Sequence, residues 1–307
     1  MSGLVYLLKE IEESLKRGDR ERTYNLGVFI AHMGWFNRLN WFMKAYKERF
    51  GNEELDWFKE VKYAISVMNY DKAKRYAKSI PNKRILYEYL GINPLAYYYS
   101  LKELSESIQS PEIERFWKPL KNLYFKIYKG EDVPHDEVFS LEIYEGEGGL
   151  NVVPQIIMRA YVRILYCLIN GAESREVLEE AIRVLDSGLK DGYHHTALRL
   201  LQPLIPYMVF MGLRGKATQL VELAINTAEI SKNAYMYEWF KIYGWALKGF
   251  ERDRVKKHLA FYSKNRYVYH TLMTLYLLNS NDERIEKYTQ KYWHKHTLHY
   301  IKILKET

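Results

Sequence analysis

The sequence predicts an all-α fold built from antiparallel helical hairpins packed side by side. Three observations predict it. Apolar residues recur at three- and four-residue spacing through nearly the whole chain, the period of one face of a helix. These helical stretches of about 12 to 18 residues are separated by brief Gly, Asn or Asp punctuation, and helices joined by such short turns must lie antiparallel. The turns also recur: Gly34 to Asn69 spans 35 positions, Asn170 to Gly212 42, Gly212 to Gly249 37, and Gly249 to Asn279 30. A two-helix unit repeating at that distance cannot bury its apolar face alone, so its neighbours must stack, as in an α-solenoid.

Along the chain, Leu4, Leu7, Leu8, Ile11 and Leu15 form the apolar face of a first helix. Ser2 is placed to cap its start, and Gly18 to end it in the left-handed conformation. Asp19 caps a second helix running to Met33-Gly34, and a third runs from Trp35 to Phe50 and stops at Gly51-Asn52. Later breaks fall near Asn69-Tyr70-Asp71, Pro81, Gly91 to Pro94, Ser110-Pro111, Asn170-Gly171, Gly188 to Gly192, Gly212 to Gly215, Lys248-Gly249, Asn265 and Asn279 to Asp282. One segment departs from this rhythm. Residues 131–149 hold seven carboxylates and no Lys or Arg; Phe139, Leu141 and Ile143 alternate with Ser140 and Glu142, which predicts a short strand. Gly146, Gly148 and Gly149 then give a flexible end. The expected organisation is an N-terminal helical-repeat half (1–130), an acidic insertion (131–152) and a C-terminal helical-repeat half (153–307).

Composition narrows the class. With 307 residues, 48% of them apolar, the chain is excluded from global disorder. The single cysteine, Cys167, excludes an internal disulfide, points to a reducing compartment, and reads as an inert buried thiol in the run Ile164 to Ile169. Met1-Ser2-Gly3-Leu4 carries no secretory pattern. Arg159 and Arg163 interrupt the most apolar stretch, 152–170, and Pro203 and Pro206 interrupt the next, so the expectation is a soluble, cytoplasmic protein without a membrane partner. The net charge of +8 is distributed as +7 over 1–130, −7 over 131–190 and +8 over 191–307. Twenty-eight tyrosines, five glutamines and one cysteine match a thermophile's residue usage.

Two consecutive windows, 20–53 and 54–87, resemble the tetratricopeptide repeat, a unit of about 34 residues and two helices. In the first, Leu26-Gly27 stands at the Leu-Gly pair, Ile30 at the Tyr site, and Leu39, Met43 and Tyr46 at second-helix packing sites. In the second, Trp57 stands at the Trp site, Ala64 at the Tyr site, and Ala73, Ala77 and Ile80 at packing sites. Weaker windows begin near 158, 198, 236 and 266, where Tyr161–Val177, Trp239–Val255 and Tyr269–Ile285 repeat the 16-residue interval of Trp57–Ala73. Such an interval sets a large first-helix residue opposite an apolar second-helix one. The resemblance implies a TPR-like superhelix with one short acidic β or loop excursion. It also implies a concave face that binds an extended or helical peptide. At the ligand-facing positions of that family stand Tyr24, His32, Lys62, Arg159, Tyr166, Arg199, Tyr237, Phe240, Lys248 and His270, a basic and aromatic set suited to an acidic peptide.

Other constellations carry less. His294, His296 and His299 lack a Cys or carboxylate within the tail to complete a metal site, and read as solvated residues of a terminal helix. His194-His195 read as a surface or capping pair. The acidic segment does not follow a calcium-loop spacing; it reads as a solvated insertion, or as a competitor for an acidic ligand in the basic groove. Gly212 to Thr218 is too short for a phosphate loop, lacks a preceding strand, and reads as an inter-helix turn. No nucleophile elbow, paired-carboxylate motif, zinc-protease helix or dinucleotide fingerprint is present, so no enzyme and no cofactor is expected. Two functional readings stand: a protein-interaction scaffold, with homodimerisation open, and a helical-repeat binder of RNA or single-stranded DNA, which the net charge and tyrosine content suit.

Overall fold

The computed structural model describes residues 3–32, 36–51, 115–116, 118–145, 152–231, 233–264, 268–279, 281–286 and 295–306. Its elements are helical throughout. They are α1 (Gly3–Arg17), α2 (Arg20–His32), α3 (Phe36–Phe50), α4 (Lys118–Lys129), α5 (His135–Phe139), α6 (Val152–Ile169), α7 (Arg175–Lys190), α8 (His194–Phe210), α9 (Arg214–Ile230), α10 (Ala234–Lys248), α11 (Arg252–Lys264), α12 (Val268–Leu277) and α13 (Lys295–Glu306). The second repeat-like window, 54–87, lies outside the described residues.

One turn chemistry joins many of these helices. After α1, α6, α7 and α8 a glycine takes positive φ (Gly18 73°, Gly171 62°, Gly192 82°, Gly212 75°). Each time the following N–H reaches a carbonyl five residues back: Asp19 to Ser14, Ala172 to Cys167, Tyr193 to Gly188, Leu213 to Met208. This is the glycine-terminated helix end, where a side chain in the left-handed region would be strained and the last carbonyls find donors. Gly212 to Thr218 is accordingly the α8–α9 turn and the start of α9.

The first hairpin shows why Leu26 is followed by Gly27. α2 and α3 approach so closely there that a Cβ on Gly27 would stand 2.1 Å from Cε1 of Phe42, itself fully buried. α1 closes the group, with Ser14 Oγ 2.7 Å from Thr23 Oγ1 and Arg49 donating to the Leu15 carbonyl at 3.2 Å.

From α6 onward the hairpins stack. α6 packs on α7 and α8, α7 on α8, α8 on α9 and α9 on α10; α10 and α11 both pack on α12. Thus, among the first helices of these hairpins, α6 neighbours α8 and α10 neighbours α12, while α8 and α10 are joined through α9 and by a side-chain bond described below. α6 is long and apolar enough to cross a bilayer by composition, but most of it is buried inside the protein. Tyr161, Trp239 and Tyr269, expected opposite second-helix residues, make ring contacts elsewhere: Trp239 lies 6.1 Å from Tyr235 of its own helix and 5.8 Å from Tyr269 of α12, and Tyr161 lies 5.7 Å from Tyr124 of α4.

α8 runs unbroken through Pro203 and Pro206. A proline has no N–H to give the carbonyl four residues earlier, so Pro206 leaves the Gln202 carbonyl without its helical donor. The hydroxyl of Tyr243, fully buried on α10, donates to that carbonyl at 2.8 Å. The proline on one first helix is thereby matched by the tyrosine on the next. Replacing Tyr243 with Phe is expected to leave a buried carbonyl unsatisfied and to cost about 1–3 kcal/mol in urea-induced unfolding. A loss below the scatter of that measurement would show that the bond contributes nothing. Tyr207 stitches the previous hairpin similarly: the Ser174 N–H donates to its hydroxyl at 2.8 Å, and the hydroxyl donates to the Ala172 carbonyl at 3.0 Å.

The acidic segment corrects two expectations. The predicted strand is absent from the described residues: Phe139 ends the short helix α5, and 141–145 run on with no ladder partner. The alternation survives as burial, with Leu141 inside, Glu142 out and Ile143 half-buried. Nor are residues 131–145 a solvated insertion, because Val133, Val138 and Leu141 join the core. The strap is fastened to α6 by Gln155, which is 1% exposed: its Oε1 accepts from the Tyr144 N–H (2.8 Å) and its Nε2 donates to the Tyr144 carbonyl (3.2 Å). Arg163 donates to the Phe139 carbonyl at 2.9 Å, and Lys126 meets Glu137 at 2.6 Å. Gln155→Leu should free the strap, read as faster proteolysis between residues 140 and 150 with an overall stability loss of about 1–2 kcal/mol. Unchanged cleavage there would show that apolar contacts alone hold it.

Candidate functional site

The face shared by the first helices is covered by α13, which packs on α8, α10 and α12 and reaches α6. Tyr300, Ile301 and Leu304 form its buried stripe, one turn and two turns beyond the buried His296-Thr297. Burial pushes the Tyr300 and Tyr243 phenols well above their ordinary range, with smaller influences on Tyr300 from the Tyr161 and Tyr243 phenols. At the other end Arg214 donates to the Leu304 carbonyl of α13 (3.2 Å) and to the Leu247 carbonyl of α10 (3.0 Å). One guanidinium thus serves the orphan last-turn carbonyls of two helices, where a cation also meets the negative ends of both dipoles. His299 Nε2 stands 3.3 Å from the Leu168 carbonyl, and Lys305 binds the Asn279 side chain. The expectation of solvated tail histidines is therefore corrected: His296 is buried and His299 half-buried.

The pair at the start of α8 is corrected likewise. His195 is buried, and Asn233 explains how. Asn233 caps α10 by accepting from the Met236 N–H at 3.1 Å, so its amide nitrogen points at His195 Nδ1, 3.0 Å away. The imidazole must accept there, which places its proton on Nε2. His270, fully buried, lies against Tyr235, Trp239 and Tyr262 with Nε2 2.9 Å from the Tyr235 carbonyl. Burial lowers its pKa to about 4, against the smaller opposing influences of that bond and of Glu238.

The positions singled out in the sequence do not form one solvent-facing surface. Tyr24, Arg199, Phe240 and His270 are interior residues. Lys62 and the side chain of His32 lie outside the described residues. Four remain accessible. Arg159 is half-buried and stands 3.6 Å from Glu180, which also accepts two bonds from Arg163 at 2.9 and 2.8 Å. Tyr166 meets the Phe139 ring edge-on. Tyr237 lies under the Lys241 ammonium, 5.4 Å from its ring centre, and Lys248 pairs with Glu222 at 2.5 Å.

One constellation was not foreseen. Glu238 of α10 accepts from Tyr262 (2.6 Å) and from Lys241 (3.1 Å to each oxygen), with His258 Nδ1 at 3.5 Å. Its carboxylate is occupied by donors from α10 and α11, which makes it a clamp between these helices rather than a free acid or base. The signal available in the sequence was the i, i+3 pair Glu238–Lys241 beside the i, i+4 pair His258–Tyr262. Cys167 is buried, and burial pushes its thiol up, away from the reactive thiolate. Among the described residues no three His, Cys, Asp or Glu side chains converge as a metal site would require. The chain matches no family model, and no curated protein or solved structure matches it.

Proposed function

We propose that the chain is a non-catalytic protein-interaction scaffold, a TPR-like superhelix that binds an extended or helical, acidic segment of another protein. The observation that carries this reading is α13 itself. An amphipathic helix already rests across α8, α10 and α12, held by side-chain anchors and by a bond from Arg214 to its backbone, as a helix in a groove would be. The accessible candidates Arg159, Tyr166, Tyr237 and Lys248 supply the cationic and aromatic contacts that such interfaces concentrate. Described cations such as Arg163, Lys241, Lys248 and Lys126 stand in ion pairs with carboxylates, an arrangement that favours a mixed-charge protein surface over a phosphate-binding stripe.

The test is capture of partners by the full chain from its native host extract, with and without nuclease, repeated with Arg159→Ala/Tyr237→Ala. A nuclease-insensitive protein partner, weakened at least about fivefold by the double substitution, is expected. Retention that nuclease abolishes, with steep salt dependence, would overturn the scaffold in favour of RNA or single-stranded DNA binding.

A further inference from the structure

We propose that the seat beneath α13 is a binding site for amphipathic helices, kept filled by α13 and yielded to a partner helix of the same pattern. This rests on the scaffold reading and names its ligand class and its regulation.

The seat recognises a helix as a helix. Arg214 engages the Leu304 carbonyl, a backbone atom any helix end presents, while the same side chain is fixed in place by the Leu247 carbonyl. The remaining anchors define a pattern: an aromatic and an aliphatic residue in succession (Tyr300, Ile301), then Leu three positions on (Leu304). Small or polar residues sit one turn earlier (His296, Thr297). A partner helix would carry that stripe, with an acidic outer face suited to a chain of net charge +8.

The seam is also more polar than a permanent core. α13 brings His296, Thr297, His299 and Tyr300 to it, and the first helices bring Tyr161 and Tyr243. On those first helices Thr196 and Thr274 bury hydroxyls that find no partner. Polar surfaces that are buried but incompletely bonded hold less firmly than apolar ones of equal area, and α13 contributes only 12 residues of helix. Those two features make α13 a candidate for local opening.

The test uses the full chain, a fluorescent synthetic peptide of the sequence 295–307, and the same peptide with Tyr300→Asp and Ile301→Asp. In the full chain, Ile301→Ala/Leu304→Ala weakens the resident helix. That variant should bind the first peptide at least about tenfold more tightly than the unaltered chain, and neither chain should take the Asp-bearing peptide. Equal binding by both chains, or none by a variant with native circular dichroism, overturns the proposal. Should the variant not fold, hydrogen exchange in the unaltered chain decides. The amides of Tyr300 and Ile301 should exchange at least about tenfold faster than those of Leu200 and Leu204 in α8, and equal protection would make α13 a fixed part of the core. A protein partner captured while α13 stays protected would leave the scaffold standing and refute this seat alone.

Discussion

Gly27→Ala is expected to destabilise the protein by about 2–3 kcal/mol, although alanine is the better helix former by about 1 kcal/mol. The added methyl would stand 2.1 and 2.2 Å from two ring atoms of Phe42, far inside contact distance. The ring cannot swing away, because Phe42 is fully buried with Tyr46 5.6 Å from it. α2 and α3 would have to separate, and neighbours across the hairpin would lose contact with them. Gly188→Ala is the control. There the new methyl would clash only with the terminal Cδ1 of Ile157, at 2.7 Å, its Cγ1 standing at an ordinary 3.5 Å, and a rotation of that flexible chain end relieves it. That change should fall within about 1 kcal/mol of neutral. Chemical denaturation of both variants separates the cases, and equal, small effects would show that α2 and α3 do not approach this closely.

Acid should unfold the chain earlier than carboxylate protonation alone would. His270 is neutral when folded because burial holds its pKa near 4, whereas in the unfolded chain it titrates near 6.5. Below about pH 6.5 the unfolded state therefore binds a proton that the folded state refuses. The stability this neutrality confers is complete above that pH and is lost as pH falls towards 4, amounting to about 3 kcal/mol. More than half of the loss falls above about pH 5, before most carboxylates titrate. His194 and His258 are lowered chiefly by burial too, and act in the same direction. Urea titrations at stepwise pH should show this decline, and His270→Gln should flatten it. A stability unchanged between about pH 7 and 5 would contradict the neutral, buried imidazole.

Much of the architecture was legible because it is written in short-range chemistry. The glycines at 18, 171, 192 and 212 are where helices end, and the Leu26-Gly27 pair marks a close approach of α2 and α3. The strand expected at 139–143 was misplaced for a physical reason. A five-residue helix followed by an extended strap buries Leu141 while exposing Glu142, and so imitates the two-residue period without a neighbour to pair with. The buried histidines were misjudged because polarity was read as exposure. His195, His270 and His296 sit within apolar helical stripes, where a polar residue signals a partnered interior group; Asn233 and the Tyr235 carbonyl are such partners for the first two. Tyr24, Arg199, Phe240 and His270 were expected on an open face because the resemblance supplies one. The amphipathic pattern of 295–306 shows that α13 buries a stripe, yet periodicity alone cannot say which helices receive it.

The seating of α13 across α8, α10 and α12 is the claim on which the rest stands, and proximity of the Tyr300 and Tyr161 side chains tests it most directly. In a perdeuterated chain carrying protonated tyrosine, nuclear Overhauser cross-peaks should link Tyr300 to Tyr161 and Tyr243, and disappear in Tyr300→Leu. The absence of cross-peaks from Tyr300 to any tyrosine of another helix would contradict this account.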